Sequence, residues 1–109
     1  MRHVLWTSLA LAGLACAPAL LMPTDADRAL AESRYPGTTL ADLRRGRAIY
    51  ADRCGSCHAL HLPDDLPPDR WPHQLDKMAV KAKLSQEEHA LVERFLVVAA
   101  SGSSRTAAR

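Results

Sequence analysis

The chain has 109 residues and a mass of 11.9 kDa, room for one compact domain at most. Charged residues make up 24% and the formal charge is +2, too mild a balance for a nucleic-acid binder. With two Trp, two Tyr and one Phe the chain is short of large core side chains, and its three cysteines cannot close a disulfide framework.

Met1-Arg2-His3 is a short basic start, and the stretch from Val4 to Met22 carries no charge. As a helix that stretch would span roughly 28 Å, close to a bilayer core. Pro18 within it and the polar segment after it favour an export signal or a retained anchor over a buried core helix. Three readings of its processing stand side by side. Ala12-Gly13-Leu14-Ala15-Cys16 loosely resembles a lipobox, which would lipidate Cys16. Ala29-Leu30-Ala31 is an A-x-A site that would release a soluble protein, and the apolar run is also long enough to remain as an anchor. Each leads to the periplasm or the periplasmic face of a bacterial membrane. Residues 1–31 are therefore expected to be the export segment or anchor, 32–100 the domain and 101–109 a frayed tail.

Pro36-Gly37 marks a connector. Thr39 is a plausible N-cap for a helix reaching about Arg53, with Leu40, Leu43, Ile49 and Tyr50 on one face. Gly46 in its middle costs about 1 kcal/mol against Ala, which implies close approach by another element. Pro63 to Pro68 reads as a loop, and Asp69 is expected to cap a short helix bearing Trp71, Leu75 and Met78. Ser85-Gln86-Glu87-Glu88 has the capping-box pattern and opens a last helix with Leu91, Val92, Phe95 and Leu96 at helical spacing. No strand alternation appears. The expectation is an all-α domain of about three helices.

Cys54-Gly55-Ser56-Cys57-His58 is C-x-x-C-H, the attachment sequence of haem c. Two thiols at this spacing reach the two vinyl groups of one haem, and the next histidine falls under the iron. The alternatives fit less well. A thioredoxin-like site expects a βαβ setting, zinc needs further ligands, and a plain disulfide leaves His58 unexplained. One covalent haem c also supplies the apolar bulk that the chain lacks. For the sixth iron position the candidates are Met78, His61, His73 and His89. Met78 is favoured because it follows Trp71 by about two turns along one helical face. His61 is close to His58 in sequence, and His73 and His89 have polar neighbours and are expected to be exposed.

With Gly46 and Tyr50 ahead of Cys54, Cys57 and His58, then Pro63, Trp71, Met78 and Phe95, the chain resembles the small monohaem class I c-type cytochromes over about residues 40–98. The resemblance implies a cytochrome c-like fold whose first and last helices cross at Gly46 and Phe95. It also implies that the Pro63 carbonyl accepts a hydrogen bond from the proximal histidine. The short interval from His58 to Met78 implies a minimal distal lobe and an exposed haem edge. A His/Met iron has no open position, so the expected function is one-electron transfer between a redox donor and an acceptor by a monomeric protein. Arg44, Arg45, Arg47, Arg53, Lys77, Lys81 and Lys83 either steer acidic partners or are ordinary solvated residues. The alternatives are a gas-binding or sensing module, peroxidase-like chemistry at an open iron, and an electron-transfer subunit of a larger oxidoreductase.

Overall fold

The computed structural model describes residues 20–55 and 60–107, with side chains through residue 102. Among them the chain is all-helical. Four α-helices, α1 (Asp25–Arg34), α2 (Leu40–Cys54), α3 (Trp71–Ala82) and α4 (Gln86–Ala107), are joined by two 3-10 turns at Pro63–Asp65 and Pro68–Arg70.

Helix α2 starts where its sequence places it. The Thr39 hydroxyl accepts from the Asp42 amide at 3.0 Å and the Asp42 carboxylate accepts from the Thr39 amide at 2.9 Å, so two orphan donors are satisfied reciprocally. The Thr39 amide, the leading cause, draws the Asp42 pKa below its ordinary value. Leu43, Gly46, Tyr50 and Cys54 form its buried stripe. At Gly46 a Cβ would run into the main-chain carbonyl of Leu91, so glycine is what lets α2 lie directly against α4. Tyr50 packs beside that crossing, with ring centroids 6.2 Å from Phe95 and 6.3 Å from Trp71.

Helix α4 is the hub. Its start follows the capping pattern in part: Ser85 Oγ accepts from the Glu88 amide at 3.1 Å, while the Glu88 carboxylate reaches Arg53 at 3.4 Å. Leu91, Val92, Phe95, Leu96, Val97, Val98 and Ala100 are all buried. Burial nearly all round reflects its position between α2, α1, α3 and the turns. The expected tail is part of this helix, which continues to Ala107. Small and polar residues leave no apolar period to read, but nothing in 101–107 forbids helical backbone.

The folded unit also reaches back past the boundary expected at residue 32. Helix α1 straddles that boundary and packs on α4 and α2. Its Ala31 is wholly buried with Leu43 and Val98. Gly37, at φ 79°, turns the chain from α1 into α2, and Thr38 Oγ1 donates to the Tyr35 carbonyl at 2.7 Å. Among the described residues no helix is long and apolar enough to cross a membrane. Most of the apolar run from Val4 to Met22 lies outside them, as does Cys16.

Candidate functional site

Helix α3 is entered differently from the expected Asp69 cap. Asp69 lies inside the 3-10 turn Pro68–Arg70, which runs straight into Trp71, and Pro72 occupies the first helical turn. Two stripes then divide the helix. Trp71, Leu75 and Ala79 are buried in the core. Gln74, Lys77, Met78, Lys81 and Ala82, at successive helical neighbour positions, line a cavity of about 520 Å³. Arg53 and Cys54 at the end of α2 and His61 complete the lining.

Cys54 and Met78, from two helices, thus face one space. Cys54 is buried against the core, and Met78 is half-buried on the same cluster as Tyr50, Trp71 and Leu75. Cys57 and His58, the other two residues of the attachment motif, lie outside the described residues, which stop at Gly55 and resume at Leu60. Of the alternative axial candidates, His61 lines the cavity, with Nδ1 3.7 Å from the Asp65 carboxylate. His73 is exposed and is not among the lining residues. His89 differs from its expected solvent exposure: it is only partly exposed, and its Nε2 lies 2.9 Å from Asp76 Oδ1, tying α4 to α3.

The chain that resumes after the motif is held by two core aromatics. Tyr50 donates its hydroxyl to the His61 carbonyl at 2.5 Å, and the buried Trp71 indole donates to the Pro63 carbonyl at 2.7 Å. The Pro63 carbonyl accepts from Trp71, and His58, the proximal histidine expected to bond to that carbonyl, lies outside the described residues. Burial, followed by the neighbouring Cys54 and Asp65, pushes the Tyr50 pKa well above the usual phenol value.

The rim is cationic. Arg53, Lys77 and Lys81 line the cavity, and among the described residues no carboxylate does. Arg53 also braces two helices, donating to the Ala82 carbonyl at the end of α3 at 3.2 Å and pairing with Glu88 near the start of α4. The other basic residues divide differently. Arg45 pairs with Glu87 at 3.2 Å, Arg47 holds a main-chain carbonyl, and Lys83 closes α3 in a left-handed conformation. Gln74 and Ala82 were missed from the sequence, although counting helical steps from Met78 would have found them.

These residues fit haem c. A thiol at the wall next to the rest of its attachment motif, a thioether on a second helix and a carboxylate-free cationic rim suit a flat apolar macrocycle with two propionates. The volume falls in the usual range for a cofactor pocket.

Residues 50–109, more than half of the chain, match the family model described as "Dihaem cytochrome c". No curated protein and no solved structure matches. The family's name speaks of two haems, whereas this sequence holds one C-x-x-C-H motif. With the attachment motif, the helical frame and the match in agreement, the chain belongs to the dihaem cytochrome c family, c-type cytochromes whose chemistry is haem-based electron transfer.

Proposed function

We propose that this protein is a periplasmic one-electron carrier binding one haem c through Cys54 and Cys57, with His58 and Met78 as the axial ligands. The observation that carries the reading is the one cavity that Cys54 of α2 and Met78 of α3 both line. Haem c supplies a one-electron Fe(III)/Fe(II) couple when bound. The protein's part is to hold and insulate it. Cys54 and Cys57 fix the macrocycle covalently, and the half-buried Met78 offers a thioether that raises the reduction potential. Tyr50 and Trp71 hold the backbone just beyond the motif, so the proximal side stays in register. With His58 and Met78 holding the iron, substrate chemistry there would be disfavoured and electron exchange would run through the cavity mouth. There Arg53, Lys77 and Lys81 favour a partner with an acidic surface. The uncharged N-terminal run supports export to the periplasm.

The test is the optical spectrum of the oxidised, haem-loaded protein beside Met78→Ala. The expected result is a weak red-end sulfur-to-iron band that disappears in the variant. If the band is absent from the parent, Met78 does not hold the iron. A bis-histidine spectrum lost in His61→Ala would then assign the position to His61, the other candidate on the cavity wall.

A further inference from the structure

Helix α1 has no place in the electron-carrier reading, yet it is built into the domain. Its start is capped: Asp27 Oδ2 accepts from the Thr24 amide at 2.8 Å and from the Thr24 hydroxyl at 3.1 Å. Ahead of it, Arg47 of α2 turns its guanidinium fork onto the Leu20 carbonyl, with Nη2 at 2.7 Å and Nε at 3.1 Å. Behind it, the Tyr35 hydroxyl donates to Glu93 of α4 at 3.3 Å, and the guanidinium carbons of Arg34 and Arg94 lie about 6 Å from the Tyr35 ring centre. Ala31 is fully buried between Leu43 and Val98. At the far end of α4, a Cβ on Gly102 would meet Asp27 and Leu30 at 3.4 and 3.7 Å, so α1 lies closely along that helix.

We infer that maturation leaves Leu20–Arg34 on the protein: any proteolytic cut falls ahead of Leu20, and Ala31 is a helix contact instead of the end of a processing site. A cut after Ala31 would remove the cap, the acceptor of Arg47 and the side chain that covers Leu43 and Val98. A discarded leader has no reason to carry a capped helix fitted to the core it leaves. Ala31, the last residue of the Ala29-Leu30-Ala31 pattern, has another cause, since close packing of one helix on two others selects alanine at the contact. The inference holds whichever axial ligand the iron takes.

The experiment is intact mass and N-terminal sequencing of the haem-loaded protein made from the full-length chain. A first residue at or before Leu20 supports the inference, and a first residue of Glu32 overturns it. The full-chain Ala31→Glu variant gives a second reading. If Ala31 is a core contact, the haem-loaded variant differs from the parent in mass only by the substitution and melts roughly 5 °C lower or more. If the cut follows Ala31, glutamate there blocks it, and the variant is longer than the parent by the unremoved segment. Should Ala31→Glu fail to accumulate, Arg47→Gln decides. It lowers the melting temperature if Leu20 is present and leaves it unchanged if the chain begins at Glu32.

Discussion

Helix α2 treats two of its neighbours, α4 and α3, differently. Against α4 the protein fills its own interior, with Gly46 seated on the Leu91 backbone and Tyr50 in tilted contact with Phe95. Against α3 it lines a space instead, with Cys54 and Met78 both in its lining beside Arg53, Lys77 and Lys81. Three of the scarce aromatics, Tyr50, Phe95 and Trp71, pack together beside that crossing. A chain with few large side chains can build one dense crossing and leave the remaining volume to a bound macrocycle. The dense side then fixes the angle at which the open side presents its ligands.

If that division is right, substitutions at the crossing cost stability and substitutions at the rim cost rate. The largest effect is expected for Gly46→Ala, where overpacking against backbone should cost about 3 kcal/mol, read as a lower denaturant midpoint at unchanged slope. Next comes Trp71→Phe, which leaves the buried Pro63 carbonyl without its indole donor and should cost about 2 kcal/mol in the same measurement.

A pH titration sharpens the comparison further. Burial raises the Tyr50 pKa, so the folded state keeps a proton that the unfolded chain loses from about pH 10 upward. Stability contributed by neutral Tyr50 is therefore present below that pH and lost as pH climbs above it, by up to about 1.4 kcal/mol per unit. Tyr50→Phe should flatten this part of the alkaline slope, and an unchanged slope would assign it to other groups such as Tyr35, whose pKa burial also raises.

Away from both sides, Lys83 ends α3 at φ 55°, a conformation that favours glycine. Lys83→Gly should raise stability by about 1 kcal/mol. The smallest change in stability, within about 0.5 kcal/mol, is expected for the exposed pair Lys77→Ala and Lys81→Ala. The same pair should slow electron exchange with ferricyanide and flatten its salt dependence, whereas an unchanged rate would remove these lysines from the exchange path.

Legibility in the sequence followed the range of the interactions. Thr39 with Asp42 and Ser85 with Glu88 are contacts across three residues, and both helix starts were readable from them. Gly46, costly in a helix, announced a crossing, and the structure supplies Leu91 and Phe95 as what it meets. Helix α1 was not readable as part of the domain. Its one buried side chain is Ala31, its other positions are largely polar, and its alanines imitate a cleavage motif. The helical continuation through residues 101–107 was hidden for a related reason, because Ser, Gly and Ala give no apolar period. His89 looked exposed from its polar neighbours, and its partner Asp76 sits on a different helix.

The sequence by itself determined the attachment motif, since Cys54, Cys57 and His58 are recognised by their spacing along a few residues of one chain. It also determined the helical frame, because caps and apolar periods are local. Only the tertiary structure decided that Met78 and Cys54 line one cavity, that the Pro63 carbonyl accepts from Trp71, and that α1 belongs to the core. These depend on which groups desolvate one another. A carbonyl takes the donor that folding brings within reach, and an alanine becomes a contact only when two other helices close over it.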